Sequence, residues 1–186
     1  MTVNFYKYQG TGNDFVMIDN RKYGLDLNQK MIEELCNRRF GIGADGLIYL
    51  QEKSGYDFEM VYFNSDGNKS SMCGNGGRCL IQFAYYLRII SSHCKFWGTD
   101  GEHEGEILDN NIVSLKMKDV SGIENYQNDF ILNTGSPHYV QFVSSSAEIK
   151  IVEEARKIRY SERFAHDGIN VNFVQRKREN EILVRT

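Results

Sequence analysis

The sequence has a single proline, and no apolar run approaches the roughly 20 residues that a membrane-spanning helix needs. The N-terminus, Met1-Thr2-Val3-Asn4-Phe5-Tyr6-Lys7, lacks the apolar core of a secretory signal, so the expected location is the cytoplasm. A basic excess is also missing. With 22 basic against 25 acidic side chains and a net charge of −3, the chain is not built around nucleic acid, because phosphate binding requires clustered positive charge. Arg156-Lys157-Ile158-Arg159 and Arg176-Lys177-Arg178 are bordered by Glu153, Glu154, Glu162 and Glu179 and read as solvated faces. The four cysteines, at positions 36, 73, 79 and 94, form no C-x-x-C pair. Structural zinc is therefore not expected, and in a reducing compartment they stay thiols. No P-loop, linker, low-complexity stretch or solenoid repeat occurs.

What is present is a chain of 186 residues, 41% of them apolar, enough to bury about two thirds of its unfolded surface without staples. Aromatic and β-branched runs predict strands at Val3 to Tyr8, Phe15 to Asp19, Leu47 to Leu50, Phe58 to Phe63 and Ile112 to Met117. Further strands are predicted at Phe130 to Asn133, Tyr139 to Val143, Val171 to Gln175 and Ile182 to Arg185.

Apolar periodicity predicts three helices. Asn28 to Arg39 begins near an Asp26/Gln29 pair that imitates a capping box and places Cys36 in the core. Gly77 to Ile90 carries Cys79, Phe83, Leu87 and Ile90 on a stripe so wide that sheet should surround the helix. Ala147 to Arg159 follows serines able to cap it. This order reads as α+β with mostly antiparallel sheets and a soft boundary in the polar stretch Asp119 to Asn128.

The richest segment runs from Asn64 to Cys79. An Asn-x-Asp-Gly turn at Asn64-Ser65-Asp66-Gly67 ends a strand, and a glycine cluster then opens the apolar second helix. Cys73 is thereby placed at a helix N-terminus, where free N–H groups and the macrodipole favour anions and a thiolate. Gly74, Gly76 and Gly77 let a carboxylate approach the backbone there. A thiol in such a place is either a base or a small buried hydrophobe, and local sequence leaves both open. Cys79, on the apolar stripe, belongs to the core. The turn at Gly10-Thr11-Gly12-Asn13 lies between two strands and is no dinucleotide fingerprint, though Asn13 is free to aim an amide at a ligand.

Together, Gly10-Thr11-Gly12-Asn13-Asp14-Phe15-Val16, Arg39-Phe40-Gly41-Ile42-Gly43-Ala44-Asp45-Gly46, Asn64 to Cys79, Gly135-Ser136-Pro137-His138 and Asn170-Val171-Asn172-Phe173-Val174 resemble the diaminopimelate epimerase family. Order and spacing agree across essentially the whole chain. Met-Cys-Gly-Asn-Gly-Gly-Arg-Cys separates this family from proline-racemase-like relatives, which usually carry histidine where Asn75 stands, and from phenazine-biosynthesis-like relatives.

The resemblance implies interconversion of LL- and meso-diaminopimelate by a thiolate and thiol pair, without pyridoxal phosphate, metal or other cofactor. Cys73 matches the first thiol, and His138 a histidine that tunes the pair. Gly74 and Asn75 would hold the reacting carboxylate. Asn13, Asn64 and Asn170, with Ser136 where asparagine is common, would read the polar groups of the small-molecule substrate. The implied fold is two pseudo-symmetric rolled antiparallel sheets, each around a central helix, with residues 1–118 forming the first domain and 119–186 part of the second.

Gly46, Ser136 and Asn68 depart from the family pattern, and Gly46 supplies no side-chain contact. The pattern also continues past the strand at Ile182 into a second cysteine and its helix, while no cysteine follows Cys94. The expectation is an incomplete second domain, self-association as a homodimer through unpaired edges, and little two-base epimerase activity from this chain alone. A non-catalytic amino-acid-binding half-site and a related cofactor-independent racemase are the alternatives.

Overall fold

Asparagine and cysteine start the first two helices, as seen in a computed structural model that describes residues 2–109 and 112–186. Helix α1 (Gln29–Cys36) is capped by Asn28, whose Oδ1 accepts the Met31 N–H at 3.0 Å, so Asp26 lies outside the cap. It stops at Cys36 rather than Arg39 because Asn37 turns the chain and accepts from the N–H groups of Arg39 and Phe40.

Helix α2 (Gly74–Tyr86) begins earlier than its apolar stripe indicates, with Cys73 as N-cap. It ends before Ile90, since Arg88 adopts a left-handed φ of 58°. Helix α3 (Ile151–Arg159) starts after the serines. Ser146 is drawn instead to Gln175 Oε1 at 3.2 Å, and Lys150 makes no side-chain cap.

Two compact units divide the chain, Met1–Met117 and Lys118–Thr186. The first holds a seven-stranded sheet of β1 (Tyr6–Gly10), β2 (Asn13–Asp19), β3 (Gly46–Gln51), β4 (Phe58–Asn64), β5 (His93–Gly98), β6 (Gly101–Ile107) and β7 (Val113–Lys116), neighbours in chain order. β5 and β6 escape a search for apolar runs because Lys95, Glu102, Glu104 and Glu106 alternate with buried Cys94, Phe96 and His103.

Helix α2 touches β1, β2, β3, β4, β6 and β7, so the sheet is rolled around it. Phe15, Met17, Ile48, Leu50, Phe58, Met60 and Phe96 close on Leu80, Ile81, Phe83 and Ala84. Burying each large side chain contributes about 1.5–3 kcal/mol. The opposite face packs Val16, Ile18, Leu47 and Tyr49 against Ile32 and Cys36 of α1.

The second unit is a five-stranded sheet of order β12-β11-β10-β9-β8, from β8 (Ile123–Tyr126), β9 (Asp129–Asn133), β10 (Pro137–Phe142), β11 (Asn170–Arg178) and β12 (Glu181–Arg185). Helix α3 contributes Ile151, Ala155 and Ile158 to a core with Tyr139, Val171 and Phe173.

Antiparallel pairing dominates both sheets, yet β2–β3, β4–β5 and β10–β11 are parallel. A parallel pair requires a long crossover, and here each is bridged by one of the three helices. The sheets are therefore mixed rather than purely antiparallel. The succession β9-β10-α3-β11-β12 repeats the pairing senses of β1-β2-α1-β3-β4, which is the expected internal symmetry. Among the described residues no helix is long and apolar enough to cross a membrane.

Candidate active site

The first turn of α2 forms because Cys73 is extended (φ −115°, ψ 115°) and turns its side chain back onto the helix. Its Sγ accepts the Gly76 N–H at 3.4 Å, and its carbonyl accepts the Gly77 N–H at 2.8 Å. The N–H groups of Gly74 and Asn75 are left without an acceptor among the described residues, as expected of a helix start. Cys73 is half-buried, and its thiol lies where these two donors and the positive end of the helix converge.

The glycines divide by role. Gly74 is half-exposed, and a Cβ there would make only ordinary contacts. Gly76 and Gly77 are buried: a Cβ on Gly76 would stand 2.9 Å from Ile48, and one on Gly77 would stand 2.6 Å from Met72. These two let the helix sit against the sheet, which corrects their reading as anion-approach positions.

Gly10, the last residue of β1, and Thr11, in the turn that follows, meet the same helix start. A Cβ on Gly10 would lie 3.3 Å from the Asn75 carbonyl oxygen, and Thr11 Oγ1 lies 3.2 Å from Asn75 Oδ1. Asn13 opens β2 beyond that turn, and its Oδ1 is buried with no hydrogen-bond partner among the described residues. A buried acceptor left unsatisfied is costly, which marks Asn13 as a group suited to a ligand's donor.

Asn64 closes β4. In the sheet register Phe15 pairs with Gly46 and Gly46 with Asn64, so Asn13 and Asn64 stand at one end of adjacent strands β2, β3 and β4. Gly46 has no room for a side chain. A Cβ would sit 2.5 Å from the Tyr62 ring and collide with the Phe63 carbonyl. Burial holds the Tyr62 phenol well above its ordinary value, with the neighbouring Cys73 thiol adding to the effect.

A charged clamp fixes these loops. Arg38 reaches both Asp14 and Asp45, and Lys7 reaches Asp14 at 2.8 Å and the Gly43 carbonyl. The Asp45 N–H donates to the Asp14 carbonyl at 2.9 Å and to its carboxylate at 3.1 Å, the Asp14 N–H donates to the Asp45 carboxylate at 3.1 Å, and the Ser65 N–H donates to the Asp45 carbonyl at 3.0 Å. The chain on either side of Asn13 and Asn64 is thus tied to the entrance of β3.

The remaining candidates lie in the second unit. His138 on β10 pairs in register with Asn170 on β11. Asn172 Nδ2 lies 3.1 Å from His138 Nδ1 and also donates to the carbonyls of Tyr139 and Asn170. Burial pushes the His138 imidazole below its ordinary 6.5. Asn170 Nδ2 donates to the Pro137 carbonyl at 3.2 Å, and Ser136 lies in the turn before it, its carbonyl accepting the Thr134 N–H at 3.1 Å. Asn172 is a site residue that the sequence reading does not include. Its signal is the Asn-x-Asn spacing, which puts residues 170 and 172 on one face of a strand.

Cys36, Cys79 and Cys94 are buried, as expected of 36 and 79, and burial pushes their thiols up to about 11, 11 and 12. Among the described residues no group of three or more histidine, cysteine, aspartate or glutamate side chains is arranged to hold a metal.

The family model for diaminopimelate epimerase matches residues 5–121. The diaminopimelate epimerase of Flavobacterium psychrophilum is 50% identical over 185 residues, covering 99% of this chain and 72% of the relative. That of Chlorobaculum tepidum is 36% identical over 184 residues, covering 95% and 72%. A hydroxyproline epimerase from Agrobacterium vitis superposes with a TM-score of 0.66 at 10% identity, over 97% of this chain and 68% of that one. A phenazine biosynthesis protein of the PhzF family from Bacillus anthracis gives 0.64 at 14% identity, over 100% and 72%. At such identities these two establish the fold alone.

Proposed function

Because this chain belongs to the diaminopimelate epimerase family of isomerases, we propose that it acts on diaminopimelate, with Cys73 as one of the two proton-transfer groups that interconvert the LL and meso forms. The observation that carries this reading is the first turn of α2, where a half-exposed thiol stands beside two N–H donors that lack acceptors among the described residues.

An α-hydrogen next to a carboxylate and an ammonium is a very weak acid. Its removal requires a base held against the carbon and a means of stabilising the negative charge that moves onto the carboxylate. The Gly74 and Asn75 N–H groups suit that carboxylate, since they are fixed before the reaction and lie at the positive end of the helix. The Cys73 thiolate takes the α-proton, the charge is shared with the carboxylate, and a proton is returned to the carbon. Delivery on the opposite face inverts the centre, whereas return from the Cys73 thiol restores it.

Asn13 and Asn64 present neutral amides toward the substrate's polar groups, adding no charge beside the thiol. Asn170, Ser136 and His138 take the corresponding part in the second unit, with Asn172 holding the imidazole. Cys36, Cys79 and Cys94 are buried and are not proposed as the opposite-face acid. No pyridoxal phosphate, metal or other cofactor enters the reading. It takes the protein to be cytoplasmic and self-associating.

The test is deuterium uptake at the α-carbon of diaminopimelate in heavy water. Uptake by the wild-type protein that vanishes in Cys73→Ala is expected. Uptake that survives the substitution, or none from folded protein, overturns the reading. In the second case, saturable binding of diaminopimelate would favour an amino-acid-binding half-site.

A further inference from the structure

Arg78 follows Asn75 by three positions on α2, a spacing that stacks side chains one turn apart. Its Nη2 donates to Asn75 Oδ1, the oxygen that Thr11 Oγ1 also approaches at 3.2 Å. A guanidinium can only donate, so the amide oxygen must face Arg78 and the amide nitrogen must face away from it. The orientation of the Asn75 side chain is therefore set by chemistry as well as by packing.

The same guanidinium carries unbalanced charge. Arg21, Arg38 and Arg163 each pair with a carboxylate at 2.7 or 2.8 Å, whereas among the described residues none pairs with Arg78. Arg78 is half-buried, and its Nη1 lies 3.7 Å from the point where a Cβ on Gly74 would stand. Among the described residues, an unpaired positive charge therefore borders a turn whose Gly74 and Asn75 N–H groups lack acceptors.

From this juxtaposition we propose that Arg78 is a positioning residue of the Cys73 half-site, turning the Asn75 amide donors toward the substrate carboxylate and adding positive charge to the turn that receives it. The proposal rests on the reading of this turn as an epimerase half-site, but its test needs no diaminopimelate. A purely structural Arg78, tying α2 to the β1–β2 turn through the shared oxygen of Asn75, would require the hydrogen bond and not the charge.

The test compares two alkylating reagents at Cys73 in the full chain, with peptide mapping to isolate that thiol. Iodoacetate carries a carboxylate and iodoacetamide is neutral, so the ratio of their rates reports local charge whatever the thiol's own reactivity. At low salt Arg78→Met is expected to lower the iodoacetate-to-iodoacetamide ratio about three- to tenfold. Arg78→Lys keeps the charge and is expected to leave the ratio near the wild-type value. The Asn75 side-chain amide signals should shift in both variants, because lysine lacks the planar fork.

An unchanged ratio in Arg78→Met, or an equal loss in the lysine variant, overturns the proposal. Should Arg78→Met fail to fold, Arg78→Gln removes the charge while keeping a donor, and the same drop is required of it. Failure of wild-type α-deuteration alongside the expected ratios would count against the epimerase reading and leave the placement of Arg78 charge intact.

Discussion

The Arg38 guanidinium grips the Asp14 carboxylate with two N–H groups, at 2.7 and 3.2 Å. A further Arg38 bond of 2.7 Å to Asp45 joins the start of β2 to the entrance of β3. Asn13 is the neighbour of one of these carboxylates in sequence, and Asn64 adjoins Ser65, whose N–H the Asp45 carbonyl receives. Two amides that are far apart in the chain are thereby brought under one ionic clamp.

That clamp predicts acid sensitivity. The hydrogen bond from Arg38, helped by Lys7 and opposed by partial burial, holds the Asp14 carboxyl well below its ordinary 3.8. A carboxyl depressed in the folded state stabilises the fold above its unfolded value, and that stabilisation is lost as pH falls through and below about 4. Thermal melts of wild-type protein and Arg38→Met between about pH 3 and pH 7 should therefore converge toward the acid end. Parallel curves would contradict the assignment.

Gly67→Ala should unravel the turn that presents Asn64. Gly67 has a left-handed φ of 78°, and a Cβ there would run into the backbone oxygen of Gln29 at the start of α1. Because backbone rather than a flexible side chain must move, a loss of about 2–4 kcal/mol is expected in urea unfolding. A loss under about 0.5 kcal/mol would show that the turn yields easily.

The imidazole of His138 should titrate below 6.5 in the native protein, because burial disfavours its charged form. Above 6.5 it is neutral in both folded and unfolded chains. As pH falls below that value the unfolded chain takes up the proton first, so stability declines. Imidazole NMR shifts give the native titration directly, and His138→Gln should flatten the decline between about pH 7 and pH 5. A native titration above 6.5 would contradict the burial argument.

Thiol labelling should separate the cysteines. Cys36, Cys79 and Cys94 are buried and their thiols are pushed up to about 11 or 12, while Cys73 is half-exposed. Brief iodoacetamide treatment near pH 8 should add one label, at Cys73, with the remaining three reacting only after unfolding. Early labelling of Cys79 would place it outside the core.

Much of the site was legible because it is local. Met72 to Cys79 is one turn and one helix start, and the position of a thiol before Gly-Asn-Gly-Gly can be read without tertiary information. The glycines show where such reading ends: Gly76 and Gly77 face Ile48 on β3 and Leu115 on β7, contacts that depend on how α2 meets the sheet. Asn172 and the Arg38 clamp were missed for the same reason, since His138 and Asn172 are 34 positions apart and Arg38 and Asp14 are 24 apart. The strands β5 and β6 were hidden by charge on their outward positions, and the parallel pairs by the absence of any local signal for strand direction.

The central claim is that the first turn of α2 receives the substrate's carboxylate beside Cys73. It is tested most directly by titrating the isotopically labelled 186-residue chain with diaminopimelate and following the backbone amides by NMR. The account predicts saturable shifts at Gly74 and Asn75, shared by the Asn13 and Asn75 side chains, and none with cadaverine, a diamine without carboxylates. Shifts confined to other residues, with the amides of Gly74 and Asn75 unmoved, would contradict it.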